Sequence, residues 1–268
     1  MSARIAETFA RLRAEGRAGF VPFIMAGDPD LDATRGFLRA AADAGADLIE
    51  LGVPFSDPMA DGPGLQRSAE RALAVGTTLT SVLELIAEFR RDSTIPIILF
   101  GYANPFLRYG AERLAGDAVA AGADGFLCVD LPPEEADDMQ IAADAAGLDM
   151  IFLLAPTSDR TRIEQVRKRA RGFVYYVSIT GTTGAAAPDP KEVAAMVTTV
   201  RERVGVPIGV GFGITGPEQA ATLARFADAV VVGSAIMRLV EQYPGPALLP
   251  AAREFLQALA TAIHSARR

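Results

Sequence analysis

The stretch DAGADLIELG, residues 43–52, and the stretch AAGADGFLCVD, residues 120–130, repeat one pattern, and this pattern decides the fold. In each stretch a helix-forming segment ends at a glycine, Gly45 or Gly122, which suits the left-handed position just past a helix. A continuous apolar run follows, without the polar alternation of a half-exposed strand. The pattern predicts a helix that leads into a strand buried on both faces.

Similar apolar runs recur along the chain. Three of them, VPFIMAG, IPIILFG and VPIGVGFG, begin at Val21, Ile95 and Val206, and we expect proline to open each of these strands. The predicted strands span residues 21–25, 48–52, 97–101, 125–129, 150–154, 173–177, 208–211 and 229–233. Eight strands separated by helical segments indicate an α/β protein, a parallel (β/α)8 TIM barrel with its catalytic groups at the C-terminal strand ends. An open doubly wound sheet is the alternative.

Length and composition limit the remaining possibilities. A chain of 268 residues, half of them hydrophobic, is long enough for one barrel domain over residues 1–268. Ile5, Phe9 and Leu12 have helical spacing, which predicts an extra N-terminal helix rather than a signal peptide. No apolar run approaches the roughly 20 residues of a membrane span. A net charge of −7 disfavours a nucleic-acid partner. We therefore expect a cytoplasmic protein.

Several catalytic residue types are scarce in this chain. His264 is the only histidine and Cys128 the only cysteine, and we expect His264 to be solvated and without function. Histidine-based triads, histidine-ligated zinc and cysteine cages are therefore excluded. The two lysines, Lys168 and Lys191, do not lie at strand ends, where a Schiff-base lysine would be needed. Acid-base chemistry is left to Asp, Glu or Tyr, and no metal is expected.

Polar residues collect at the predicted strand ends, which share one face of the barrel. Glu50 ends the second apolar run, Tyr102 and Asp130 follow the third and fourth, and Tyr175 lies in the sixth. Asp61 follows Glu50 by eleven residues in a loop rich in proline and glycine, which favours a pair of acids. The alternative for Glu50 is an interior carboxylate held by backbone N–H groups. A desolvated carboxylate at this place should have a raised pKa.

Glycine-rich segments follow the last three strands. SITGTTGA, GFGIT and GSAI bring Gly184, Gly213, Gly233 and Ser234 to one region of the predicted barrel. In this fold, the last loops and the N-terminus of a short helix bind anions through bare backbone N–H groups. The three segments together predict a phosphate site, although one alone would indicate a turn.

These segments carry a resemblance to a known family. VPFIMAGDPD, IELGVPFSDPMADGP, GYANP, VDLPPEE, VSITGTTGA, GFGI and GSAI resemble, in order, the motifs of the tryptophan synthase alpha subunit family, from residue 19 to about residue 238. The resemblance implies a barrel that cleaves indole-3-glycerol phosphate to indole and glyceraldehyde 3-phosphate without a metal or cofactor of its own. Departures lie in GTTGAAAPDP after the sixth strand and in FGYANP, and they bear on loop closure more than on the reaction.

The resemblance also assigns roles to matching residues. It implies that the catalytic residues are Glu50, Asp61 and Tyr175. It implies a phosphate site at Gly184, Gly213, Gly233 and Ser234. It implies an indole pocket of Phe23, Phe100, Leu127 and Phe212. Asp57 and Thr183 would belong to two closing loops, with a hydrogen bond from Thr183 to Asp61 as the latch.

The family further implies a partner. This is a beta subunit that carries pyridoxal phosphate and forms an alpha-beta-beta-alpha heterotetramer, with contacts at residues 54–59 and 104–106, where Phe106 is expected to be exposed. Three alternatives stay open at this point: a free-standing lyase that releases indole, a catalytically silent barrel that modulates a beta subunit, and a sugar-phosphate epimerase or isomerase. The last usually needs a metal-binding His or a catalytic Lys, which this chain does not offer.

Overall fold

The computed structural model describes residues 2–177, 190–211 and 213–266, and in this part of the chain eight parallel strands form a closed barrel. Each strand pairs with its neighbours in sequence, and the first also pairs with the last. Phe23 lies opposite Glu50 on the second strand, while Gly19 lies opposite Ala229 on the eighth. Pairing of the first strand with the eighth leaves no free edge. The closed barrel confirms the predicted fold and excludes the open sheet.

The strands lie close to their predicted positions. Their bounds are β1 Gly19–Met25, β2 Ile49–Gly52, β3 Ile97–Gly101, β4 Gly125–Cys128, β5 Asp149–Leu154, β6 Val174–Val177, β7 Ile208–Gly211 and β8 Ala229–Val232. Pro96 and Pro207 directly precede β3 and β7, as predicted, but the expectation that proline opens β1 is wrong. β1 begins at Gly19, three residues before Pro22, because the Gly19 N–H already donates to the Asp228 carbonyl at 2.9 Å.

Helices surround the strands. Their bounds are α1 Ala3–Glu15, α2 Leu31–Asp43, α3 Pro63–Ala74, α4 Leu79–Phe89, α5 Ala103–Tyr109, α6 Ala111–Ala121, α7 Asp137–Ala146, α8 Arg160–Arg169, α9 Pro190–Val204, α10 Pro217–Ala224, α11 Ser234–Gln242 and α12 Leu248–Ser265. Short 3-10 turns lie at Pro133–Glu135 and Gly245–Ala247. Within the described ranges no single helix is long and apolar enough to cross a membrane, and α3 with α4 meets that criterion only as a pair bent by 93°.

The predicted N-terminal helix closes the bottom of the barrel. Ile5, Phe9 and Leu12 of α1 are buried and belong to the cluster of side chains that fills the barrel interior. The rings of Phe9 and Phe173 lie 5.6 Å apart between centroids. The helical spacing of these apolar residues therefore reflects packing against the N-terminal strand ends, which leaves the opposite, C-terminal end open for a site.

At this N-terminal end, the buried Asp47 carboxylate is held by several partners. The Asp47 carboxylate accepts hydrogen bonds from Arg11 at 2.7 Å, from Arg17 at 2.9 Å and from the Phe20 N–H at 3.0 Å. His264 Nε2 lies 2.9 Å from the same carboxylate, so the expectation that His264 is solvated and idle is wrong. The cause is α12, which is helical through Ser265 and brings its last turn against the barrel.

The expected exposure of Phe106 is also wrong. Phe106 is fully buried in α5, with its ring 5.9 Å from that of Phe126 between centroids. The segment is a helix rather than an extended loop, so its side chains point to different sides. Leu107, the next residue, is 50% exposed and takes the outward position.

Candidate active site

A cavity opens at the C-terminal end of the barrel, which is the end where this fold carries its active sites. Its lining residues are Phe23, Glu50, Asp61, Leu65, Phe100, Tyr175, Gly213, Ile214, Val231, Gly233 and Ser234. Most of the predicted site residues that lie in the described part of the chain therefore meet in one place. Leu65, Ile214 and Val231 were missed. Nothing in the sequence marks Val231 as a site residue, because it lies within a continuous apolar run that is typical of a buried strand.

Glu50 lies in the middle of β2 and points into the barrel. Its neighbours Ile49 and Leu51 pack between the strands and the outer helices, and strand alternation directs Glu50 to the opposite side. The side chain is fully buried, and neither carboxylate oxygen has a hydrogen-bond partner among the described residues. Desolvation by burial raises its pKa to about 8. No described backbone N–H holds this carboxylate, which disfavours the purely structural interpretation.

Asp61 lies in the loop between β2 and α3, two residues before that helix begins. Burial raises its pKa more than a hydrogen bond with the Tyr102 hydroxyl lowers it, and the net pKa is about 6. Tyr102 also fixes the loop, because its hydroxyl accepts a hydrogen bond from the Ala60 N–H at 3.1 Å and its ring lies 5.4 Å from that of Phe55 between centroids. Gln66 of α3 donates to the Asp61 carbonyl at 2.9 Å. The loop that carries Asp61 is thus held from both sides.

Tyr175 projects from β6 toward the two carboxylates. Its hydroxyl lies so close to Gly211 that a Cβ atom there would come within 2.1 Å of the oxygen, so only glycine leaves room for this ring. Burial, followed by the neighbouring charges of Glu50 and Asp61, raises the pKa of the Tyr175 hydroxyl well above its usual value. The hydroxyl therefore stays neutral and available as a hydrogen-bond donor.

Aromatic rings form one wall of the cavity. Phe23 and Phe100 pack edge to face, with ring centroids 5.0 Å apart and planes at 76°. Such a wall suits a flat aromatic ligand. Leu127, expected in this pocket, is fully buried in the barrel interior and is not among the residues that line the cavity. Phe212, the fourth residue of the expected pocket, lies outside the described residues.

Another part of the cavity wall presents backbone. Gly233 and Ser234 lie where β8 leads into α11, and Gly213 lies in the loop after β7. The N-terminus of α11 favours an anion, since its first N–H groups point out of the helix. None of the described lining residues is Lys or Arg, so an anion here would be bound mainly by backbone N–H groups. Gly184, the fourth residue of the expected phosphate site, lies outside the described residues.

Asp57 and Thr183 are the two residues expected to close the site. Asp57 is exposed, and its carboxylate accepts a hydrogen bond from the Ser56 hydroxyl at 2.6 Å. Thr183 lies outside the described residues, so its bond to Asp61 stays a prediction. Within residues 2–177, 190–211 and 213–266, no group of three or more His, Cys, Asp or Glu side chains is placed to hold a metal ion.

The chain is similar to known proteins over almost its whole length. A family model described as tryptophan synthase alpha chain matches residues 9–264. The tryptophan synthase alpha chain of Geobacter sulfurreducens is 54% identical over 260 residues, which cover 97% of this chain and 98% of the relative. The alpha chain of Leptothrix cholodnii is 50% identical over 261 residues, covering 97% and 96%. The crystal structure of the alpha subunit from Legionella pneumophila superposes with a TM-score of 0.91 at 40% identity, covering 98% of both chains.

Proposed function

The chain belongs to the tryptophan synthase alpha chain family, whose lyase reaction cleaves indole-3-glycerol phosphate in tryptophan biosynthesis, and we propose that Glu50 and Asp61 perform that reaction here. The observation that carries this proposal is the Glu50 carboxylate, fully buried and without a described partner in the wall of an apolar cavity beside Asp61. Burying a carboxylate without a partner costs free energy of folding. Groups with such perturbed pKa values cluster at functional sites, and Glu50 lies at the end of the barrel where this fold carries its catalytic groups.

The two carboxylates are suited to different roles. With a pKa near 8, Glu50 is mostly protonated at neutral pH and can donate a proton to carbon 3 of the indole ring. With a pKa near 6, Asp61 is mostly ionised and can accept the indole N–H, stabilising the positive charge that protonation of carbon 3 places on the ring. This separation of pKa values is what an acid and an electrostatic stabiliser require.

Cleavage then returns the proton. Once carbon 3 is protonated, Glu50 is a carboxylate and removes the proton from the hydroxyl group on the adjacent side-chain carbon. The hydroxyl oxygen becomes the aldehyde oxygen of glyceraldehyde 3-phosphate, the carbon–carbon bond breaks, and its electron pair returns to the ring to restore indole. Glu50 ends protonated, so the cycle needs no external acid or base. Tyr175, neutral and beside both carboxylates, is proposed to orient the reacting side chain.

The two ends of the substrate match the two ends of the cavity. The indole ring is proposed to lie against Phe23 and Phe100, with Leu65 and Ile214 as further apolar contacts. The phosphate is proposed to bind the backbone at Gly213, Gly233 and Ser234, with Gly184 and Phe212 completing the two ends as the family implies. Closure of loops that contain Asp57 and Thr183 would exclude water during the reaction.

The partner of this family is the tryptophan synthase beta subunit, and we propose that this chain forms the alpha-beta-beta-alpha heterotetramer with it. Two strongly exposed apolar side chains follow neighbouring strands at the cavity end: Met59 after β2, 89% exposed, and Leu107 after β3. These, rather than the buried Phe106, are the proposed contacts on this side. Pyridoxal phosphate would belong to the beta subunit and none to this chain. We further propose that residues 1–268 form one domain and that the protein works in the cytoplasm.

An assay for indole release tests the function directly. The chain should form indole and glyceraldehyde 3-phosphate from indole-3-glycerol phosphate, slowly alone and faster with the cognate beta subunit. Equal rates with and without the beta subunit would instead favour a free-standing lyase. No indole under either condition, beside stimulation of the beta subunit, would identify a silent modulating barrel.

A further inference from the structure

A network of charged side chains joins α3 to α11, and its members are not among the residues that line the cavity. Its centre is Asp28, in the loop between β1 and α2, whose side chain is fully buried. The Asp28 carboxylate accepts a hydrogen bond from the Ser68 hydroxyl and two from Arg71, from Nε at 2.7 Å and from Nη2 at 2.8 Å. Ser68 and Arg71 belong to α3, so this helix is fastened to the end of the first strand.

The same arginine also binds α11. Arg71 Nη1 donates to Glu241 at 2.9 Å, and Arg67, one helical turn earlier on α3, donates to the same carboxylate at 2.8 Å and 3.1 Å. Glu241 is the next-to-last residue of α11. A planar guanidinium can hold two carboxylates in fixed directions, which a lysine ammonium cannot do. Arg71 therefore joins two helices and one strand end.

These two helices begin beside two different residues of the proposed site. α3 starts two residues after Asp61, the proposed partner of the indole N–H, while α11 starts at Ser234 in the proposed phosphate site. Because a hydrogen-bonded helix keeps a fixed rise per residue, fixing α3 against α11 also fixes Asp61 relative to Ser234. The substrate must reach both points at once.

We propose that Arg71 and Glu241 are positioning residues that set the span between the catalytic carboxylate and the phosphate site. This inference rests on the proposed function. The span matters for a substrate that carries an indole ring and a phosphate on one short chain, because its two ends gain affinity from being bound together. It does not matter for a ligand that occupies only one end. A positioning role should therefore affect only ligands that occupy both parts of the site, whereas a role in the stability of the fold would affect all ligands alike.

The test compares one two-ended ligand with two one-ended ligands. The two-ended probe is 3-(indol-3-yl)propyl phosphate, which keeps ring and phosphate but lacks the hydroxyl groups needed for cleavage. The one-ended probes are indole and glycerol 3-phosphate. The variant is Glu241→Ala, which leaves Arg71 bound to the buried Asp28. Binding of each probe is measured by calorimetry, and kcat and KM are measured with indole-3-glycerol phosphate.

A matched control variant is Glu88→Ala. Glu88 is the next-to-last residue of α4 and binds Arg35 of α2 at 2.7 Å, and the side chains of Glu88 and Glu241 are 38% and 34% exposed. Both variants therefore remove a carboxylate that links two helices at similar exposure. Only Glu241 links helices that start at the site.

We expect Glu241→Ala to bind the two-ended probe about tenfold more weakly and to lower kcat/KM by a similar factor, with both one-ended probes unchanged. Arg71→Lys should show the same pattern if it folds, and Glu88→Ala should match wild type throughout. The inference is overturned if Glu241→Ala binds the two-ended probe normally, or if it weakens the one-ended probes equally. A wild-type chain that binds none of the three probes would refute the proposed function itself.

Discussion

Asp47 and Glu50 are three residues apart in one short segment, yet their carboxylates lie in opposite surroundings. Asp47, at the N-terminal end of the barrel, is bound by two arginines, a histidine and a backbone N–H. Burial raises its pKa, but the hydrogen bonds with His264, Arg17 and the Phe20 N–H together lower it by more, so the net pKa lies well below the usual value. For Glu50, burial is the one cause that shifts the pKa, and it raises the pKa to about 8.

We attribute the difference to the different roles proposed for these positions. At the N-terminal end, carboxylates hold the strands and α1 together; Asp124 does so as well, accepting hydrogen bonds from Ser2, Arg4 and Arg90 at 2.7, 2.8 and 3.1 Å. At the C-terminal end, Glu50 and Asp61 have no arginine among their described contacts and are left able to exchange protons near neutral pH. Among the described residues, Asp47 and Asp124 have counter-charges while Glu50 and Asp61 have no arginine, which suits the roles proposed for the latter pair.

The largest effect is expected for Glu50→Gln. Glutamine keeps the shape of a protonated glutamate but cannot give or take the proton, so kcat should fall by roughly 10²-fold or more. Binding of 3-(indol-3-yl)propyl phosphate should stay close to normal. Steady-state kinetics and calorimetry on the same preparation measure both. A normal kcat beside a lowered melting temperature would return Glu50 to a structural role.

The pH dependence of stability gives the same variant a second test. The pKa of Glu50 is about 8 in the folded chain against an ordinary 4.5, so the folded state holds a proton that the unfolded state releases. The contribution of Glu50 to the free energy of unfolding is therefore fully present below pH 4.5. It is lost as the pH rises toward 8, by at most about 1.4 kcal/mol per pH unit. Relative to wild type, Glu50→Gln should become more stable across that range. A constant difference would contradict the raised pKa.

Asp47→Asn should show the opposite behaviour. It removes a charge that two arginines and His264 surround, so we expect a loss of about 2 kcal/mol in the free energy of unfolding. Activity per folded molecule should stay normal. Because the pKa of Asp47 is lowered, its contribution is present above the usual value of 3.8 and is lost as the pH falls below it. Urea titrations at pH 7 and pH 3 check this, and a loss of kcat without a loss of stability would refute it.

A smaller effect is expected at the phosphate site. A Cβ atom on Gly233 would lie 3.2 Å from Phe23 Cβ, tight enough to shift the ring and narrow the cavity. Gly233→Ala should raise KM about tenfold, the scale of one misplaced methyl group in a binding site, with a smaller change in kcat. Gly213 suits this test less well, since its φ of 72° would strain any side chain placed there. An unchanged KM in a folded Gly233→Ala variant would remove Gly233 from the proposed phosphate site.

Most of the fold could be predicted from the sequence because the strands of a parallel barrel are continuous apolar runs. The repeat around Gly45 and Gly122 located two helix ends and the strands that follow them, and the remaining runs lay within two residues of the observed strands. The position of His264 could not be predicted, because its partner Asp47 lies 217 residues away and only the packing of α12 brings them together.

The site was partly predictable for a similar reason. Glu50 and Tyr175 interrupt apolar strands, and Asp61 lies in a loop of unusual composition, so each departs from its local pattern. Leu65 and Val231 do not depart from theirs, and their place in the cavity depends on how the barrel closes. The link from Arg71 to Asp28 and Glu241 joins residues from three separate segments, and no local pattern indicates it.

The contrast between the two ends of the barrel depends on the ionisation of Glu50, and nuclear magnetic resonance can measure it directly. In protein labelled with carbon-13 at the glutamate side-chain carboxyl, with Glu50→Gln to assign the signal, the Glu50 resonance should titrate with a midpoint near pH 8. The other glutamate signals serve as internal references. A Glu50 midpoint near its ordinary value of 4.5 would mean that the carboxylate is charged at neutral pH, which would contradict its proposed role as the proton donor.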